Sequence, residues 1–305
     1  MDLLKRLFGA RTMLFWAIAT LVVQSGIIVT GATVRLTGSG LGCPTWPRCT
    51  DESYLPHAEL GWHGVIEFGN RLLTFVLIIV AFATFFAAVA TRRSGHPRGV
   101  KIRNLSIAIA LGVPLQAVVG GITVLTGLDP NIVSPHLLLS VVLVALSTWL
   151  LVTVVGAARQ PVGPIALWLV RLVALGLVLA IWLGTVVTGA GPHSGDAGAH
   201  RNGLDIEVVA RLHSASVWPV VIGTVILVAW LRSRAAITLL CVLLLQGLVG
   251  YLQYFNGLPV GLVILHMIGI PLCTAAGVWM LLSVRQRSAP VREPIPSDEH
   301  AAPRT

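Results

Sequence analysis

QAVVGGITVLTGLDPNIVSPH (residues 116–136) and QGLVGYLQYFNGLPVGLVILH (residues 246–266) share one spacing: a glutamine, a glycine four residues on, and a histidine twenty residues on. Each stretch runs out of one long apolar segment and into the next. A helix needs about 20 apolar residues to cross the hydrocarbon of a bilayer. Segments of that kind lie at 12–31, 63–90, 104–126, 132–156, 163–188, 207–231, 236–256 and 260–283. The fold predicted is therefore all-α and polytopic, with eight transmembrane helices. The first segment follows Lys5, Arg6 and Arg11 and has the flanks of a signal peptide. Its length, and a counterpart in the second half, make it a retained span.

The repeat extends beyond the two quoted stretches. IIVTGATVRLTGSG (27–40) at the end of the first span matches TVVTGAGPHSGDAG (185–198) at the end of the fifth. EFGNRLL (67–73) in the second span matches ARLHSAS (210–216) in the sixth, which sets Asn70 opposite His213. Two tandem four-helix bundles follow. Each has an even number of spans, so they share one orientation and are related by a pseudo-twofold axis along the membrane normal. Arg159, Pro161 and Pro164 interrupt the apolar pattern at the seam. This divides the chain into 1–160, 161–285 and a polar, proline-rich tail at 286–305 that reads as disordered and cytoplasmic.

Composition agrees with a membrane solvent: 55% hydrophobic and 11% charged residues, with mean hydropathy +0.86, leave too little charge for a water-facing surface. A net charge of +9 invites a nucleic-acid reading, but the distribution of charge excludes it. With the N-terminus inside, all of the 21 Lys+Arg except Arg35, Arg48, Arg71, Arg201 and Arg211 lie in or next to cytoplasmic segments. That is the positive-inside asymmetry, with both termini cytoplasmic in a multi-pass cell-membrane protein, and with some attraction to anionic membrane lipid. Cys43 and Cys49 fall in the first outer loop, where an oxidising exterior permits a disulfide; two unrelated thiols are the alternative. Cys241 and Cys273 read as packing residues.

Three of the nine histidines, His136, His213 and His266, sit inside spans, roughly 6–10 Å below the outer hydrocarbon boundary. An imidazole there is costly unless it is paired, so each is a site candidate; a helix–helix hydrogen bond is the plainer reading of any one alone. His213 and His266 occupy one half at matched depth, where two neutral imidazoles approach an iron from opposite sides. Zinc needs further ligands that this depth does not supply, and haem needs only two axial nitrogens and an apolar slot. The equivalent pair in the first half is His136 with position 70, which is asparagine. His63 is seven residues away, about 10 Å along the helix axis. Glu67 lies one turn from Asn70 on the same face, where a carboxylate is suited to proton transfer; the competing role is a structural partner for Arg71 or Arg211. Arg35, Arg71 and Arg211, at the outer ends of spans, are candidate partners for haem propionates or snorkelling residues.

These residues resemble the haem A synthase family. The likeness covers nearly the whole chain and rests on TGATVRLTGSGLGCPTWPRC (30–49), IEFGNR (66–71) and the histidines of spans four, six and eight. It implies haem b held by His213 and His266 in the second half, and haem O, the substrate, bound in the first half with His136 on its iron. It implies Glu67 as the catalytic carboxylate and a Cys43–Cys49 pair. The reaction implied is oxidation of the haem O C8 methyl to a formyl group by successive hydroxylations, giving haem A. Haem O synthase and cytochrome oxidase assembly are the implied partners. Asn70 departs from the family's usual histidine and puts six-coordination of the substrate iron in doubt.

Two other readings compete. A membrane b-type cytochrome acting only in electron transfer accounts for His213 and His266, but not for Glu67 beside a broken ligand pair. A transporter accounts for the repeat, but the polar groups cluster towards the outer face and no span shows a broken-helix signature.

Overall fold

The computed structural model describes residues 8–287; the expected tail beyond residue 287, together with Lys5, Arg6, Arg292 and Arg304, lies outside them. The described chain is eight helices: α1 (Met13–Leu36), α2 (Gly61–Arg93), α3 (Gly99–Leu125), α4 (Pro130–Val155), α5 (Pro164–Ala190), α6 (Ile206–Leu231), α7 (Arg234–Phe255) and α8 (Val260–Ser283). All eight are long and apolar enough to cross a membrane. Local chemistry sets their ends. Asp129 caps α4 by accepting from Asn131 N at 2.8 Å, with Pro130 in the first turn, and left-handed Gly156 closes it. Asp205 caps α6 through the amides of Glu207 and Val208. The α1 helix runs to Leu36, past the expected residue 31, because Thr30 and Thr33 satisfy their hydroxyls on carbonyls three and four residues back and leave the helix intact. Helices α3, α4, α6 and α8 each continue through an internal proline.

Neighbours in sequence pack as neighbours in space. The first four helices close a ring, since α1 packs on both α2 and α4; α5 to α8 do likewise, with α5 on α6 and α8. The rings meet where α8 packs on α1 and α4, and where α4 packs on α5. Small residues permit the close approaches: Ala17, Ala87 and Ala88 are fully buried where α1 meets α2, and Thr20 and Thr84 share a hydroxyl bond of 2.7 Å there. At one end of the molecule the connection 37–60 carries the Cys43–Cys49 disulfide. At that end Arg35 donates to Thr188 O at 2.6 Å, and Gly40 N to Gly195 O at 2.8 Å. At the other end the seam is tied by a feature the sequence did not predict. Gln160–Val162 (β1) pairs in parallel with Val284–Gln286 (β2), directly beyond α8. Prolines 161 and 164 mark the break in the apolar pattern, but carry no signal for a partner more than 120 residues away.

Candidate functional site

Within the first third of α4, α6 and α8, three imidazoles are seated in the same way. Each lies against a glycine of the neighbouring helix, where a methyl group would crowd the ring. A Cβ on Gly120 would fall 2.9 Å from His136 Cε1, and one on Gly250 or Gly184 would fall 3.3 Å from the Cε1 of His266 or His213. The glutamines of the repeat have a matching task. Gln116 Nε2 donates to His136 O at 3.0 Å, and Gln246 Nε2 to His266 O at 2.9 Å, each bracing the histidine-bearing turn from the adjacent helix. Gln116 also donates to Ser140 Oγ, while the amide of Gln246 packs against Gly269.

In the second ring His213 and His266 stand on α6 and α8, each in the second turn of its helix. His213 Nδ1 lies 2.9 Å from Ala180 O. A carbonyl only accepts, so Nδ1 carries the proton and Nε2 keeps its lone pair. His266 Nδ1 is buried with no partner, and so is His136 Nδ1 in the first ring. Buried polar atoms seldom stay unpaired. Asn70 Oδ1 and Gln116 Oε1 are also unpaired in the first ring, and Gln253 Oε1 in the second. Three further histidines at this end are engaged with protein: His63 Nδ1 lies 3.0 Å from Ser39 Oγ, His57 bonds Thr50, and His193 bonds Leu258 O.

Glu67 is buried, with 5% of its side chain exposed, and both of its oxygens are used. Cys43 N donates to Oε2 at 2.6 Å, and Arg71 donates to Oε1 through Nε at 3.1 Å and through a terminal nitrogen at 2.5 Å. Arg71 further donates to the carbonyls of Cys43, Thr45 and Arg48 at 2.8–3.0 Å. A guanidinium has five N–H donors, and all five are spent on Glu67 and the disulfide loop. The structural pairing of Glu67 with Arg71 is thus real, and Arg71 has no donor left for a propionate in this conformation. Arg211 is likewise committed to Glu207, at 3.1 Å on the exposed face of α6. Among the described residues Arg35 alone of the three makes no ion pair. Sequence spacing placed Glu67 near Arg71 but held no sign of the three loop carbonyls, and Gly184 was missed because it stands 29 residues from His213.

A profile of the cytochrome oxidase assembly protein family (COX15-CtaA) matches residues 14–194, more than half of the chain. The chain belongs to this family. Its similarity to individual members is partial. It is 31% identical over 137 residues to "Heme A synthase" of Geobacillus kaustophilus, covering 45% of this chain and 41% of that one. It is 32% identical over 143 residues to "Heme A synthase" of Geobacillus thermodenitrificans, covering 46% and 43%. A further likeness, 32% over 116 residues, is to "Protoheme IX farnesyltransferase" of Halobacterium salinarum, covering 38% of this chain and 24% of that one. The chain thus spans less than half the length of these relatives. Family and helices together make it a multi-pass membrane protein.

The clamp predicts a specific pattern of stability. Arg71→Leu leaves a buried carboxylate without its partner and is expected to cost about 3–5 kcal/mol. Glu67→Gln/Arg71→Leu removes both charges and is expected to recover part of that loss. Thermal unfolding of the purified protein in detergent reads the difference; a double variant no more stable than Arg71→Leu contradicts the pairing.

Proposed function

We propose that the chain is a haem A synthase that oxidises the C8 methyl of haem O to a formyl group by successive hydroxylations, supplying haem A to cytochrome oxidase. The observation that carries this reading is the asymmetry between two similarly built histidine sites. One offers two imidazoles, His213 and His266, each seated against a glycine; the other offers His136, Asn70 and a buried carboxylate.

Residues 161–285 fit a resident haem b on His213 and His266. The free lone pair of His213 Nε2, the unpaired His266 nitrogen, and the room left by Gly184 and Gly250 are what an axial pair requires. Haem b supplies one-electron transfer when bound there. Residues 1–160 are the catalytic half in this reading. His136 holds the iron of haem O, and Asn70, a poor ligand, leaves the opposite position open. Glu67 accepts a proton during the oxidation: Oε2 takes only the Cys43 amide and keeps a second lone pair for it. Arg71 fixes the carboxylate against the disulfide loop while this happens. Arg35 is the arginine we assign to a propionate. The two halves relate by a pseudo-twofold axis along the membrane normal, and both termini are cytoplasmic, as the distribution of Lys and Arg supports. A protohaem farnesyltransferase is the partner expected to supply haem O.

One observation favours the second reading, a b-type cytochrome that only relays electrons: Glu67 is fully engaged as a strut. Pigment extraction decides between them. In membranes supplied with haem O, the wild-type chain is expected to accumulate haem A, and Glu67→Gln to lower the rate about 100-fold or more. No haem A from the wild-type chain supports the relay, and full conversion by Glu67→Gln removes the proposed base. A separate prediction concerns packing. Gly250→Val, which crowds His266, is expected to lose bound haem b, whereas Gly247→Val, with open space around it, retains it; equal haem content in the two variants contradicts the seat.

A further inference from the structure

We infer that a groove between α2 and α3, at the end of the molecule opposite the histidines, is a binding site for one anionic phospholipid. The groove encloses a cavity of about 770 Å³. Its floor is apolar, with Phe86, Val89 and Ile107, and its rim is formed by Arg92, Arg93 and Arg103. The two tiers are spaced as a phospholipid is. Arg93 stands seven residues beyond Phe86 and Arg103 four before Ile107, so the charges lie roughly 6–10 Å nearer the helix ends than the floor. A headgroup phosphate on the rim would leave its acyl chains against the phenylalanine.

Charge makes the lipid an anionic one. The link from Arg98 to Thr153 O, that from Gln160 to Leu231 O, and the β1–β2 pair place the α2–α3, α4–α5 and α6–α7 connections together at this end. Every Asp and Glu of residues 8–287 lies at the other end, in the connections 37–60, 126–129 and 191–205 or in the first two turns of α2 and α6. Among the described residues, therefore, no carboxylate faces the groove. None of the three rim arginines makes an ion pair; Arg103 bonds only the side-chain oxygen of its neighbour Asn104. Other basic residues nearby are occupied: Arg98 by Thr153 O, and Lys101 over the ring of Trp149 at 4.8 Å. What distinguishes the groove from the general basicity of this face is three guanidinium groups without an ion pair set above one apolar slot. Each basic residue near an anionic headgroup favours it about fivefold, so three together distinguish phosphatidylglycerol from phosphatidylcholine by about 100-fold, and by at least about tenfold when only partly engaged. The inference does not depend on the haem reading.

The test is native mass spectrometry of the purified full-length chain in detergent, titrated with palmitoyl-oleoyl phosphatidylglycerol, the matching phosphatidylcholine, or glycerol phosphate. One phosphatidylglycerol is expected to bind at least about tenfold tighter than phosphatidylcholine. Arg92→Gln/Arg93→Gln/Arg103→Gln is expected to abolish that preference, while Arg234→Gln/Arg285→Gln/Arg287→Gln, with equal loss of charge on the same face, keeps it. If the first triple variant does not fold, Arg93→Gln alone is expected to lose part of the preference. Equal affinity for the two lipids, or an equal loss in both triple variants, overturns the site. Binding of glycerol phosphate as tight as that of the lipid overturns the lipid in favour of a free phosphate. A lipid-independent dimer lost in Phe86→Ser gives the groove to a second copy of the chain.

Discussion

Hydrocarbon offers no hydrogen bonds, so each polar group carried into it must be satisfied by the protein or by something the protein holds. Most of this chain meets that condition by the simplest means. Its helices pair their own backbone groups, its threonines and serines bond back to carbonyls one turn away, and its charged residues collect at the two ends. The groups that do not fit this pattern are few and sit together near one end. Chief among them are three imidazoles, the glutamines Gln116, Gln246 and Gln253, an asparagine and a carboxylate.

The two rings resolve the problem differently. In the second, His213 is held by a backbone carbonyl and His266 is braced through its own carbonyl by Gln246, with both rings lodged against glycine. What is left over is the lone pair of His213 Nε2 and the unpaired Nδ1 of His266, the groups on which the proposed haem b site rests. In the first, His136 is seated and braced in the same way, but Asn70 stands where a second ring is expected. The nearby carboxylate of Glu67 is tied by Arg71 to the disulfide loop. Catalysis needs an open position and a group that moves protons, and the first ring has candidates for both; electron storage needs neither, and the second ring has neither.

How much of this was legible in the sequence depends on the range of the interaction. Spans were legible because twenty apolar residues are a local signal, and the boundaries that shifted, such as the end of α1, shifted where polar threonines are satisfied within the helix. The common spacing of Gln116 to His136 and of Gln246 to His266 was legible because the repeat carries it twice, but that each amide reaches the histidine's own carbonyl was not. The opposition of Gly184 to His213, the β1–β2 pair and the reach of Arg71 to three loop carbonyls were not legible, since each joins segments whose separation has no echo elsewhere in the chain. Arg71 and Arg211 looked available for propionates because they lie at the ends of spans near the histidines, yet each has a carboxylate partner one turn away on the same helix. That proximity is visible in sequence, but the number of donors it consumes is not.

The claim at the centre of this account is that the two histidine sites are unequal, one for a resident haem and one for substrate. The direct measurement is haem b per polypeptide, with its optical spectrum, in His136→Ala, His213→Ala and His266→Ala purified without added haem O. The account predicts that His213→Ala and His266→Ala lose the haem or its six-coordinate spectrum and that His136→Ala keeps both. Loss of haem b from His136→Ala with the other two unaffected would contradict it.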